Sequence, residues 1–127
     1  MGLPLRKSRV TAPPPICPLT ECMGLLRGAW APNVIWHLGA GARRFGELRH
    51  DIPRISARVL SARLRELEAK GVIVRHALRT SPPSAEYALT ALGQELIPAI
   101  RAIVAVGAKL KAGTETRRGA ASRQDSA

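Results

Sequence analysis

The sequence has few of the residues that mark secreted or membrane proteins. Its aromatic residues are two tryptophans, one tyrosine and one phenylalanine, so its core must be aliphatic. Two cysteines, Cys17 and Cys22, are too few for a disulfide framework. No apolar run approaches the roughly 18 residues of a membrane span, and prolines follow the basic N-terminus where a secretory signal would be apolar. We therefore expect a cytoplasmic protein without a membrane partner.

The sequence also lacks the motifs of common enzymes. It contains no phosphate-binding loop, no nucleophile elbow and no HExxH zinc motif. The histidines His37, His50 and His76 have no zinc-ligand spacing among themselves or with the cysteines. We predict that the protein is not an enzyme and needs neither a metal nor another cofactor.

Acidic residues are scarce as well, and the resulting positive charge indicates a negatively charged partner. Twenty lysines and arginines stand against nine acidic residues, a formal charge of +11. Ten of the basic and four of the acidic residues lie in residues 43–79, so this central segment alone carries +6. Such a balance favours polyanions, and its position within the patterned segment favours nucleic acid.

The composition divides the chain into one domain and two tails. Residues 1–16 are basic and rich in proline, and residues 112–127 are small and polar, so both are predicted to be flexible tails. Residues 17–111 are predicted to form a single folded domain.

The order of elements within this domain is typical of a winged helix-turn-helix. Ser56 can cap a helix that Gly71 ends, and Ile55 and Leu60 have the spacing of a hydrophobic staple. The predicted fold is mainly α with a small β-hairpin wing (α+β). In chain order it contains helices over about 17–28, 30–38, 45–51 and 57–70, a short strand at 43–44, a hairpin over 72–80 and 85–89, and a last helix from Thr90.

The helix after Ser56 has the two faces that a DNA-reading helix requires. Leu60, Leu64 and Leu67 fall on one side of a helical wheel, and the opposite side carries Arg58, Ser61, Ala62 and Arg65. Arginine can bond guanine bidentately in the major groove. The alternative is an ordinary solvated helix face. Arg63 lies toward the packed side, where an ion pair with Glu47 or Glu66 is expected.

The hairpin adds basic residues that can contact phosphates or the minor groove, although they are equally typical of exposed strands without a partner. The full set of candidate DNA-contacting residues is Arg44, Ser56, Arg58, Ser61, Ala62, Arg65, Arg75 and Arg79.

Several motifs make the sequence resemble the HxlR family of bacterial regulators over residues 17–108. This resemblance implies a homodimeric winged helix-turn-helix, with its terminal helices at the dimer interface, the helix from Ser56 as recognition helix and the hairpin as wing. Ala29 departs from the family, which usually has lysine before the tryptophan. The motifs are Cys17-Pro18, Gly28-Ala-Trp30, RFGELR (44–49), Ile55-Ser56, VLSARLRELE (59–68), Gly71, Pro83, Glu86-Tyr87, Leu89-Thr90 and Leu92-Gly93.

The last predicted helix supports a homodimer independently. Its apolar stripe, which includes Leu96, Ile100, Ile103 and Leu110, exceeds what one small core can absorb.

Cys17 is a candidate regulatory residue. Several members of the resembled family sense oxidants or electrophiles through a cysteine that precedes proline at the first helix. A helix N-terminus and a basic tail would both favour the thiolate. The alternative is that Cys17 only begins the helix. A bridge to Cys22 is not expected, because the two residues lie about 7.5 Å apart along a helix and on different sides of it.

Three functions therefore remain open. The first is a homodimeric regulator that binds a specific double-stranded DNA operator, with or without an electrophile response through Cys17. The second is an architectural protein that binds DNA without sequence choice. The third is a regulator with a small-molecule effector, bound in a pocket between the dimer helices that Met23, Trp30 and Trp36 would line.

Overall fold

The structure is a computed structural model that describes residues 17–125, with side chains as far as residue 114. It confirms a mainly helical fold with a small antiparallel sheet. The elements are α1 (Pro18–Leu25), α2 (Ala31–Leu38), β1 (Arg43–Arg44), α3 (Phe45–Asp51), α4 (Ala57–Ala69), β2 (Ile73–Leu78), β3 (Ser84–Leu89) and α5 (Ala91–Asp125).

The helix boundaries follow local chemistry. Cys17 is the N-cap of α1, and Pro18 takes the first helical position, where no N–H is needed. α4 ends before Gly71, whose φ of +77° suits glycine. α2 begins differently, because its N-cap Trp30 has a φ of +69°, a left-handed conformation that few non-glycine residues adopt. The sequence contained no signal for this conformation.

The three strands form one antiparallel sheet in the order β1-β3-β2. β2 and β3 form the predicted hairpin, with Arg75 opposite Tyr87 and His76 opposite Glu86. β1 adds two residues to the other edge of β3, where Arg44 lies opposite Glu86. The hairpin extends from the helical body as the wing of a winged helix-turn-helix.

The core is aliphatic, as the scarcity of aromatic residues predicted. Leu48 of α3 and Leu60, Leu64 and Leu67 of α4 are buried together with residues of the other helices and β2. The remaining buried members of this cluster are Leu26, Val34, Ile35, Leu38, Ile52, Ile55, Val72, Ile73, Leu96, Ile97 and Ile100.

The C-terminal boundary differs from the sequence prediction. α5 continues to Asp125, whereas a flexible tail was predicted over residues 112–127. Small polar residues were interpreted as a tail, but the segment after Lys111 contains no proline, and its two glycines, Gly113 and Gly119, disfavour a helix without preventing one. The predicted N-terminal tail, residues 1–16, lies outside the described residues.

α5 also contains a segment that is long and apolar enough to cross a membrane, contrary to the expectation from the sequence. This segment is Ala91–Thr114, and 22% of an 18-residue apolar stretch within it is buried in the protein. Its apolar character has another explanation, because Leu96, Ile97 and Ile100 belong to the core. Glu95 and Arg101 interrupt the same stretch with charges.

At Gly93, α5 lies against the backbone of Val72, the residue that directly precedes β2. A Cβ on Gly93 would collide with the backbone carbonyl of Val72, which cannot move aside as a side chain can. We expect Gly93→Ala to lower the free energy of unfolding by about 1–3 kcal/mol, the usual cost of overpacking.

Urea denaturation followed by circular dichroism measures this effect, with Gly46→Ala as the control. A Cβ on Gly46 would meet no atom within 4 Å, so this variant should change stability by no more than about 1 kcal/mol. Equal stabilities of Gly93→Ala and the wild type would show that α5 does not pack tightly against the backbone of Val72.

Candidate nucleic-acid interface

The centre of the candidate interface is the pair α3 and α4 with the turn between them. The Ser56 hydroxyl caps α4 by accepting a hydrogen bond from the Val59 backbone N–H at 3.1 Å. The backbone N–H of Arg44 donates to the Glu47 carboxylate at 2.9 Å, which fixes the start of α3. Both helix starts are therefore held by local hydrogen bonds, and the Ser56 hydroxyl uses one of its two acceptor lone pairs for the cap.

α4 presents two contrasting faces, as the helical wheel predicted. Leu60, Leu64 and Leu67 are fully buried against the rest of the protein. On the other side Arg58 and Arg65 are exposed, and Ser61 and Ala62 between them are half-buried. The small residues leave room for another molecule to approach the helix between the two guanidinium groups.

Two long-range hydrogen bonds hold α4 in place. The Arg63 guanidinium donates to the Ala29 carbonyl at 2.9 Å and pairs with Glu66 at 2.6 Å, which confirms the second of its two expected partners. The Lys70 ammonium donates to the Gly24 carbonyl at 2.9 Å. These bonds attach the middle of α4 to the connection between α1 and α2, and its C-terminal end to the last turn of α1, so its outer face has a fixed orientation.

Most of the arginines around α4 have no acidic partner. Among the described residues, only Arg43 and Arg63 form ion pairs, Arg43 with Asp51 at 3.6 Å. Arg54, in the turn between α3 and α4, is exposed and unpaired within this part of the chain. Arg54 was not among the DNA-contacting residues predicted from the sequence, although its position in the turn of a helix-turn-helix indicated it.

The remaining candidate DNA-contacting residues lie on or beside the wing. Arg75 lies on β2, and Arg79 directly follows β2 at the turn; both are exposed. The Thr80 hydroxyl lies 2.7 Å from the Pro82 carbonyl and 2.9 Å from the Ser84 hydroxyl, so a side-chain bridge braces this turn. Arg79 is thus presented beside a braced turn at the end of the hairpin.

The structure brings two of the wing-side candidates together. Arg44 and Arg75 line one groove of about 620 Å³ with Tyr87, between the wing and the start of α3. Arg58, Ser61, Ala62 and Arg65 share the outer face of α4, a separate group on the same helix-turn-helix unit. An arginine-rich helix face, positioned by a fixed helix pair and accompanied by a basic hairpin, has the chemistry of a DNA-binding surface.

A sequence profile described as HxlR-like helix-turn-helix matches residues 25–114. The chain belongs to this family. It is therefore a helix-turn-helix transcriptional regulator and not an enzyme. The transcriptional regulator YdeP of Bacillus subtilis, which is uncharacterized, is 39% identical over 95 residues, covering 75% of this chain and 74% of YdeP.

Solved structures give the same assignment. The redox regulator HypR in its oxidized form is 34% identical with a TM-score of 0.69, covering 73% of this chain and 96% of HypR. The reduced form of the transcriptional regulator YodB from B. subtilis is 34% identical with a TM-score of 0.62, covering 71% of this chain and 89% of YodB.

Cys17 is half-buried at the start of α1 and is a free thiol. The backbone N–H of Thr20, then that of Leu19, and the Thr20 hydroxyl hold the pKa of the Cys17 thiol below its ordinary value. The basic residues of the N-terminal tail, also expected to favour the thiolate, lie outside the described residues. Cys22 is also free and half-buried, and it packs against the core.

Trp36, one of the residues predicted to line an effector pocket, does border two cavities beside α5 in the structure. Met23 is 53% exposed on α1, and Trp30 packs against the core.

Proposed function

We propose that this regulator binds a specific double-stranded DNA operator, with α4 in the major groove and the wing on the flanking backbone. The observation that carries the proposal is the outer face of α4. Arg58 and Arg65 are exposed and unpaired among the described residues, on a helix whose opposite face is fully buried. Arg79 on the wing supplies a phosphate contact. Such a protein acts where the chromosome lies, in the cytoplasm.

Specific recognition predicts a large preference for the operator over random DNA. Selection of bound fragments from genomic DNA gives the operator, and fluorescence anisotropy then gives both affinities at one salt concentration. We expect the affinity for the operator to exceed that for random DNA by a factor on the order of a thousand or more. A ratio near one would assign the chain to the alternative class, an architectural protein that binds DNA without sequence choice.

We further propose that the active species is a homodimer formed through α1 and α5. Apolar side chains are exposed on both helices, including Leu19 and Met23 on α1 and Ile103 and Leu110 on α5, each at least half exposed. Large exposed apolar patches on soluble proteins mark interaction sites. A second copy offers the same patch, as the two-fold symmetry of most homodimers requires.

Cys17 is the proposed sensor of oxidants or electrophiles. Its lowered pKa raises the fraction of thiolate at neutral pH, and the thiolate is the nucleophile. An adduct on Cys17 adds bulk at the first turn of α1, within the proposed dimer interface. The two recognition helices must contact half-sites about 34–36 Å apart. A rotation of one subunit relative to the other therefore removes contacts at both half-sites.

Modification of Cys17 should therefore release the operator. We expect stoichiometric methylglyoxal, which adds to the thiolate through its carbonyl carbon, to weaken the operator shift in a gel assay. The Cys17→Ser variant should keep its shift under the same treatment, and the Cys22→Ser variant should respond as the wild type does. If mass spectrometry shows Cys17 fully modified while the shift is unchanged, Cys17 has only a structural role.

A further inference from the structure

A cavity beside Trp36 takes no part in the proposed DNA binding or in the proposed role of Cys17. It lies between the end of α2 and the first third of α5 and has a volume of about 280 Å³. Pockets that hold drug-sized ligands usually have about 300–1,000 Å³, so this cavity suits a smaller molecule. Its lining consists of Trp36, His37, Gly39, Ala40, Ile97 and Arg101.

The apolar part of this cavity depends on a glycine. A Cβ on Gly39 would lie 2.7 Å from the Ile97 Cδ1 atom, so only glycine allows Ile97 to pack this closely. The Trp36 side chain is half-buried beside them and presents part of its indole to the cavity. A planar ring can stack on the indole and contact Ile97 at the same time.

The polar part of the cavity is a cation without a partner. Among the described residues, Arg101 is exposed and forms neither an ion pair nor a hydrogen bond. It is not needed to satisfy the end of α2, whose last four carbonyls accept hydrogen bonds from the backbone N–H groups of Gly39, Ala40 and Gly41. No acidic residue lines the cavity. The Arg101 guanidinium is therefore available to an anion, and a carboxylate matches its geometry.

We propose that this cavity binds a small aromatic monocarboxylate. The ring lies between Trp36 and Ile97, and the carboxylate accepts hydrogen bonds from Arg101, with the His37 imidazole as a second donor. This site goes beyond the proposed function, and binding at it does not require DNA.

The position of the site suggests how it acts on the regulator. Trp36 also borders a smaller cavity of about 180 Å³, on the side where Ile103 and Val104 of α5 are exposed. A ligand beside Trp36 thus lies next to the apolar surface proposed to contact the second subunit. Its effect on DNA binding depends on that proposed dimer, but its binding does not.

Benzoate is the probe for this site, titrated into the full-length protein without DNA. The two indole N–H signals of ¹⁵N-labelled protein report on Trp30 and Trp36 separately, and a Trp36→Phe variant assigns them. We expect a saturable shift of the Trp36 signal, with a Kd on the order of 1 mM or tighter, and no comparable shift of the Trp30 signal. Benzamide, which has the ring without the charge, should bind about tenfold more weakly.

Two variants separate the site from general attraction of anions. Arg101→Gln should weaken benzoate binding about tenfold, whereas Lys111→Gln, which removes an exposed charge from the same helix, should leave it unchanged. The proposal is overturned by no saturable shift at about 10 mM benzoate, by equal binding of benzamide, or by undiminished binding in Arg101→Gln. None of these results bears on operator recognition, because the titration contains no DNA.

Discussion

Replacing both Arg58 and Arg65 with alanine should lower operator affinity on the order of a thousandfold. Each guanidinium that bonds a base bidentately contributes about 1–3 kcal/mol of discrimination. The two side chains are two turns apart on one exposed face of α4, with only Ser61 and Ala62 between them. We expect each single variant to lose part of this affinity, while binding to random DNA falls much less. Fluorescence anisotropy on operator and random duplexes at fixed salt measures both.

Arg79→Ala is the matched control for this experiment. Arg79 lies at the braced turn of the wing, where a phosphate contact is proposed. Its loss should weaken binding to the operator and to random DNA to a similar extent. The slope of log affinity against log salt concentration should become shallower by about one. If the double variant of Arg58 and Arg65 keeps full operator affinity, α4 is not the reading helix.

The helix-turn-helix could be predicted almost entirely from the sequence because its signals are local. Ser56 as a cap and Gly71 as a stop each act within a few residues of the chain. The period of Leu60, Leu64 and Leu67 then determines which face is buried. Local signals of this kind do not depend on contacts with distant segments. Accordingly, the bounds of α3 and of the two-residue strand before it were predicted to the residue.

Features that depend on contacts between distant segments could not be predicted. The hydrogen bond from Arg63 to Ala29 joins residues 34 positions apart. A Cβ on nearby Gly28, whose φ is +101°, would meet the Arg63 side chain at 2.8 Å. The Trp36 cavity likewise arises from the close approach of Ile97 to Gly39. Neither of these contacts follows from a periodic pattern in the sequence, so only the folded structure shows them.

The extent of α5 shows a different limit. Composition separated residues 112–127 from the domain because they are small and polar. Composition measures how much apolar surface a segment can bury, not whether its backbone can continue a helix that has already begun. The structure continues α5 through this segment to Asp125.

Ile103→Asp should disrupt the proposed dimer and, with it, operator binding. Leu92, Ile103 and Leu110 are spaced eleven and seven residues apart, which aligns them within about 20° on one side of α5. Ile103 and Leu110 are 59% and 63% exposed. A charge at position 103 should therefore change the free energy of unfolding of the isolated subunit little. In a two-fold interface the substitution buries two carboxylates, each costing about 1–3 kcal/mol or more. Size-exclusion chromatography with light scattering should show a monomer at micromolar concentration.

Ala105→Asp is the matched control, because it introduces the same charge at an exposed position about 160° around the same helix. This variant should remain a dimer and retain operator affinity. The Ile103→Asp monomer should keep the circular dichroism of the wild type, since the core ends at Ile100. It should lose most of its operator affinity, because one recognition helix alone reaches only one half-site. A wild-type protein that is already monomeric, or an Ile103→Asp variant that remains dimeric, would remove α5 from the interface.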